Sequence, residues 1–193
     1  LGSPLNVARA NPLFDQYVDQ GAESYNSGNY REALTAYTKA IEIEPQIALL
    51  YNYRGDAKRR LQDFQGAIAD YTKAIEINPL VDEAYFHRGV SKGKLKDYQG
   101  AISDFTEAIQ IKPQDAQAWY NRALTYSYLK DYQAAIADYT KAIEINPQYS
   151  NAYVNRGITR KLVNDLQGAC RDWIKAVDLG NKRHAEWVKK QCS

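Results

Sequence analysis

Two histidines, two cysteines and a ladder of arginines are the residues whose types could carry chemistry in this chain. His87 and His184 lie far apart, and neither has a metal-ligand spacing around it. Cys170 and Cys192 have no histidine at a spacing that would make either a nucleophile. No glycine-rich phosphate loop and no nucleophile elbow occurs. The sequence therefore assigns no catalytic residue, no metal ligand and no cofactor site, and an enzyme is not expected. The arginines are more regular: Arg54, Arg88, Arg122 and Arg156 recur every thirty-four residues. Such a ladder could hold phosphates or an acidic peptide. A quieter reading comes from Asp70, Asp104, Asp138 and Asp172, which recur with the same period. In the first copy both partners are missing together, Gln20 replacing the arginine and Ala36 the aspartate. Joint presence and joint loss predict structural ion pairs, within or between neighbouring elements, in preference to a ligand site.

The elements that position these residues follow from the same period. "AIADYTKAIEINP" stands at 67–79 and again, letter for letter, at 135–147, with looser copies ending at Pro45 and Pro113. A period of about 20–50 residues signals stacked repeats. An aromatic opens each unit (Tyr17, Tyr51, Tyr85, Trp119, Tyr153), and four residues on comes Gly21, Gly55, Gly89, Ala123 or Gly157. Ala67, Tyr71, Ala74 and Ile75 fall on one face of a helix. Asn29, Asp63, Asp97, Asp131 and Asp165 sit where N-caps are needed, so a second helix begins after each. The proline then bars that helix from continuing. A glycine inside a helix costs about 1 kcal/mol relative to alanine, and its recurrence at one register predicts a neighbouring helix backbone in close approach.

Aromatic, Gly/Ala, Ala, aromatic, Ala and Pro in this order, at this period, resemble the tetratricopeptide repeat (TPR) family from Phe14 to about Arg183. The resemblance implies an all-α, right-handed superhelical solenoid of five TPR helix hairpins plus a C-terminal capping helix. The expected division is an N-terminal extension over 1–13, hairpins over 14–47, 48–81, 82–115, 116–149 and 150–183, and the cap over 184–193. It also implies a concave inner face, lined by the first helix of each pair, that binds a peptide or protein.

Function is expected where the repeats disagree. Carried over by resemblance, the groove residues are Tyr25, Asn52, Tyr53, Asp56, Arg59, Phe86, His87, Lys94, Tyr120, Asn121, Leu124, Tyr128, Asn155, Ile158 and Lys161. Asn121 and Asn155 could bond a ligand backbone, and Tyr53, Phe86 and Tyr120 could anchor apolar groups. The alternative is that these rings cover the neighbouring helix. Lys58, Arg59, Arg60, Lys92, Lys94 and Lys96 thicken the positive charge, either as a solvated face or for an acidic partner. The Lys/Asn/Lys/Arg clamp by which chaperone-binding members grip an Hsp70 or Hsp90 tail is not spelled here. In the register starting at the second repeat its positions hold Asn52, Asp56, His87, Gln117 and Asn121, so such tails are not expected as partners.

The partner is thus expected to be a protein or peptide segment, bound by an adaptor or assembly factor. A structural, self-associating or membrane-tethered scaffold is the alternative. A net charge of +2 argues against nucleic acid, and no apolar run approaches the ~18 residues of a membrane helix. The chain holds no methionine. Its natural start is therefore expected upstream, Leu1–Pro4 reads as a linker remnant, and membrane attachment would come through an upstream segment. The phrases "GACRDWIKAVDLGNK" and "NRG" resemble TPR proteins of cyanobacteria and plastids, some of which serve photosystem or chlorophyll-synthesis biogenesis at the thylakoid. Cys170 and Cys192 lie about equally far from the turn near Asn181, so antiparallel packing would bring them level. Two buried thiols are expected there in preference to a disulfide.

Overall fold

A computed structural model describes residues 11–181, Val188 and Cys192. The elements are α1 (Pro12–Asn26), α2 (Tyr30–Ile43), α3 (Ala48–Arg60), α4 (Phe64–Ile77), α5 (Asp82–Lys94), α6 (Tyr98–Ile111), α7 (Ala116–Tyr128), α8 (Tyr132–Ile145), α9 (Ser150–Leu162) and α10 (Leu166–Asp178). Among the described residues there is no strand. The all-α architecture of tandem helix–turn–helix pairs is as the thirty-four-residue period predicts. Contacts group the chain into two compact units, the first ending at Ser91 and the second beginning at Lys92, both inside α5. The capping helix expected over 184–193 lies outside the described residues, apart from Val188 and Cys192.

The caps explain where the second helices start. Asp63, Asp97, Asp131 and Asp165 each accept a bond from the backbone N–H three residues on, at 2.8–3.2 Å. Asn29 holds the same register without making that bond. The turn before each second helix passes through a left-handed residue: Gly28, Gln62, Lys96, Lys130 and Asn164, with φ between 63° and 81°. The first repeat alone places glycine there, where the conformation is free of Cβ strain.

In the first unit the core is built from small residues on facing helices, Ala33, Ala40, Ala67, Ala74 and Ala84, with Tyr37, Leu50, Tyr51 and Tyr71 filling the space between. In the second unit Ala123, Ala135 and Tyr139 form one core cluster, and Ala142, Ile143 and Ala152 another. The glycine column seats a ring, which corrects the expectation of a helix backbone. A Cβ on Gly55 would lie 2.7 Å from Tyr71 Cε1, and one on Gly157 would lie 2.5 Å from Trp173 Nε1. Tyr37, Tyr71 and Trp173 each lie against the first helix of their own hairpin, and the glycine's missing side chain makes room for the ring.

The arginine column is structural, as its joint loss with aspartate predicts. Arg122 on α7 grips Asp138 on α8 with two parallel bonds, Nε to Oδ2 at 2.7 Å and Nη2 to Oδ1 at 2.9 Å. Arg54 holds Asp70 the same way, and Arg156 holds Asp172. The remaining nitrogen, Nη1, reaches back to a threonine of the preceding hairpin: Thr38 from Arg54, Thr72 from Arg88, Thr106 from Arg122 and Thr140 from Arg156. The guanidinium also lies over the aromatic that opens its own repeat, 4.8 Å from the Trp119 ring in the case of Arg122. One side chain thereby closes its own hairpin and fastens it to the one before. A second cation joins most of these aspartates: Lys58 at Asp70, Lys92 at Asp104 and Arg160 at Asp172, each at 2.8–2.9 Å. At that register α7 carries Tyr126, whose ring lies 6.0 Å from Arg122.

Cys170 and Cys192 form a disulfide, with Cα atoms 5.5 Å apart, which overturns the expectation of two thiols. That separation lies within the span of about 4.4–6.8 Å that a bridge requires.

Arg122→Ala strands the buried Asp138 carboxylate and should cost on the order of 3–5 kcal/mol. Urea unfolding that shows a loss below about 1 kcal/mol would contradict the pairing. Gly157→Leu must displace the Trp173 ring and should cost roughly 1–3 kcal/mol, visible in the same titration. Reducing the disulfide frees a loop of twenty-two residues' separation and should lower stability by about 3 kcal/mol, read as a drop in Tm with reductant that Cys170→Ser abolishes.

Candidate functional site

The first-helix residues that vary from copy to copy form two clusters, one in each unit. In the first unit the centre is Asp56 on α3. Its Oδ1 accepts from Tyr71 Oη at 2.9 Å and from Arg59 Nη2 at 3.0 Å, while His87 Nε2 of α5 stands 3.7 Å away. The His87 ring stacks on Tyr71, centroids 5.9 Å apart, and Phe86 meets it edge-on at 5.2 Å. Tyr53 packs against Tyr37 at 5.6 Å, and Tyr25 against Tyr30 at 5.3 Å. Burial pushes the Tyr71 hydroxyl pKa strongly up, reinforced by Asp56 and opposed by Arg59, so the phenol remains a donor to the carboxylate. Burial lowers the His87 pKa, with Asp56 opposing and Arg59 adding to the shift.

Asn52 is 1% exposed, and its Oδ1, like His87 Nδ1, is buried without a hydrogen-bond partner. Repeat register explains the pair. Asn52 and His87 stand where Tyr120 and Asn155 stand two repeats later. There the Tyr120 hydroxyl reaches Asn155 Nδ2 at 2.8 Å.

In the second unit Tyr120 packs between Tyr139 at 5.7 Å and Tyr149 at 4.8 Å. Its hydroxyl pKa is raised by burial, against the bond from Asn155. Asn121 Nδ2 donates to Gln117 O of its own helix at 2.8 Å. Tyr120 and Asn155 are thus tied to the fold, as the ring-covering alternative holds, while Asn121 remains partly accessible. Other residues of the set are outward. Tyr128 is 60% exposed and stacks on Tyr98 at 5.4 Å, Ile158 is 44% exposed, and Lys94 and Lys161 are exposed. Leu124 is half-buried. Leu162, 56% exposed, was missed by the sequence reading. It occupies the register of Lys94 and Tyr128, and carrying that column one repeat further finds it.

Among the described residues no group of His, Cys, Asp or Glu could hold a metal ion, and no helix is long and apolar enough to cross a membrane.

Sequence profiles described as tetratricopeptide repeat or TPR repeat match residues 18–82, 93–129, 116–149 and 138–171, together well over half of the chain. The chain belongs to the tetratricopeptide repeat family. No curated protein matches it significantly. Among solved structures, a crystal structure of MamA protein is 23% identical over 91% of this chain and 95% of that one, with a TM-score of 0.81. MamA from residue 41 to its end, from Desulfovibrio magneticus RS-1, is 21% identical over 90% and 98%, with a TM-score of 0.83. YrrB, described as a TPR protein with an unusual peptide-binding site, is 19% identical over 90% of each chain, with a TM-score of 0.77. At these identities the likeness shows the fold. Family membership supports a protein-interaction scaffold; the narrower resemblance to photosynthesis-associated members such as the POR-interacting TPR protein finds no support in these matches.

Because burial lowers the His87 pKa below that of an unfolded histidine, the unfolded state binds more protons as pH falls through about 6.5. Stability should therefore drop on acidification through that pH. His87→Gln should shrink the drop in urea midpoint between pH 7.5 and 5.5; an equal drop in both proteins would contradict the assignment.

Proposed function

We infer that the chain is a non-catalytic protein–protein interaction scaffold that takes a peptide or protein segment on the first helices of its repeats, as an adaptor or assembly factor. The observation that carries this reading is a division between columns. The positions that stack the hairpins repeat almost without change: the arginine–aspartate pairs, the seated aromatics and the alanines. The outward positions of the first helices change from copy to copy, and in the second unit they leave Tyr128 and Ile158 exposed. Exposed large apolar side chains gathered on adjacent helices mark interaction sites in soluble proteins. The peptide-binding site named for YrrB belongs to a chain of the same fold and supports the same use here.

In the second unit the groove assignment is carried by the outward members of the expected set, Lys94, Asn121, Leu124, Tyr128, Ile158 and Lys161, and in the first unit by Tyr53. Asn52, Tyr120 and Asn155 serve the framework instead, because their side chains are buried or bonded within the fold.

Affinity capture from native lysate tests the reading. Tyr128→Ala with Ile158→Ala should cut captured partner at least tenfold while leaving the thermal midpoint within a few degrees, since both side chains are exposed. Lys73→Glu with Lys141→Glu, on the second helices α4 and α8, should leave capture unchanged. Loss of capture in the second-helix variant alone would overturn the reading.

A further inference from the structure

We propose that the second unit binds an acidic segment carrying two large apolar side chains about one helical turn apart, seated on a square of four side chains from α7 and α9. This rests on the interaction reading above and names the partner's chemistry.

The square follows from register. Leu124 and Tyr128 are four residues apart on α7, and Ile158 and Leu162 are four apart on α9. Residues at that spacing share a helix face, with Cβ atoms about 5–6 Å apart. Each α7 residue is matched on α9 by the residue thirty-four positions later, and the two helices are in contact. Packed helix axes lie about 8–10 Å apart, which sets the other edge. Three of the four side chains are exposed: Tyr128, Ile158 and Leu162. Tyr128 is also braced against the Tyr98 ring, so it presents a fixed apolar surface at little cost in rotamer entropy.

In the first unit the same two registers hold Ala22 and Asn26 on α1, and Asp56 and Arg60 on α3. The apolar square is therefore a property of α7 and α9, and is absent from α1 and α3.

Charge selects the partner's sign. Neither α7 nor α9 contains an aspartate or glutamate. The row formed by Tyr128 and Leu162 is continued on α5 by exposed Lys94, and exposed Lys161 neighbours Leu162. Exposed Lys96 and Lys130 follow in the adjoining turns. The carboxylates nearest in sequence, Asp97, Asp131 and Asp165, each accept a backbone N–H at the start of the next helix. A partner bringing carboxylates around two apolar anchors meets cations and no carboxylate on either helix. A basic partner meets lysines of its own sign along this row and finds no carboxylate on α7 or α9, the exposed aspartates standing in the adjoining turns.

Three synthetic peptides test this. Each carries two leucines four residues apart, and the flanking positions are all glutamate, all glutamine or all lysine. Fluorescence anisotropy against the intact chain should give the glutamate peptide at least tenfold tighter binding than the lysine peptide, weakening as salt rises. Ile158→Asp with Leu162→Asp should weaken the glutamate peptide at least tenfold, with circular dichroism and thermal midpoint close to wild type. Lys94→Glu with Lys161→Glu should narrow the gap between the glutamate and lysine peptides. Equal or tighter binding of the lysine peptide, or indifference to the double aspartate variant, overturns the proposal. Failure of all three peptides also overturns it. If lysate capture by Tyr128 and Ile158 still holds in that case, the interaction reading survives; if capture fails as well, both fall.

Discussion

The fold depends on one side chain used three ways. Arg54, Arg122 and Arg156 each fork onto the aspartate of their own hairpin, send their remaining nitrogen to a threonine sixteen residues earlier, and lie over the aromatic that opens their repeat. A guanidinium suits this because it is planar, always charged and carries donors in a rigid fork. Lysine in its place would keep the charge and lose both the bidentate geometry and the reach backward. A buried ion pair is weak evidence of net stability in itself. Here its value lies in orientation: it sets the register between the two helices of a hairpin and between that hairpin and its predecessor. The first repeat, with Gln20 and Ala36, lacks this pair.

With the ladder, the seated aromatics and the alanines all committed to stacking, the chain has left little freedom except on the outward side of the first helices. The two units have used that freedom differently. Around Asp56 the first unit builds a closed polar knot with Arg59, Tyr71 and His87, in which every charge has a partner. The second unit replaces Asp56 with Leu124 and Ile158, and the neighbouring Arg60 with Tyr128 and Leu162. One register of the repeat thus yields a polar, charge-paired surface in one unit and an apolar one in the other.

Most of the framework could be read from the sequence because it is periodic: five copies aligned on themselves separate the stacking columns from the variable ones. The arginine–aspartate pairing was legible for the same reason, since both members vanish together in the first repeat. The glycine column was located correctly but given the wrong neighbour. Its period announces close approach without saying whether a backbone or a Tyr71-type ring does the approaching. The candidate site could be read from the sequence only as a column of varying residue types, without the contacts those side chains make. Tyr120 and Asn155 read as ligand groups by type, yet they bond one another across a thirty-five-residue separation that no local pattern reports. The disulfide escaped for a related reason. Equal distances from a turn place two cysteines at one level but do not fix whether their Cα atoms lie 5.5 Å apart or several ångströms further.

The verbatim thirteen-residue segment makes α4 and α8 interchangeable parts. An in-frame excision joining Gly66 to Ala135 would hand the Arg54 fork to Asp138 and lay the Tyr139 ring on Gly55, each a like-for-like replacement. Three hairpins would remain, about the smallest number that sustains such stacking. The shortened chain would keep Ile158 and Leu162 but lose Leu124 and Tyr128. Length is therefore cheap for this protein to change by recombination, whereas the proposed apolar square occurs once among the described repeats.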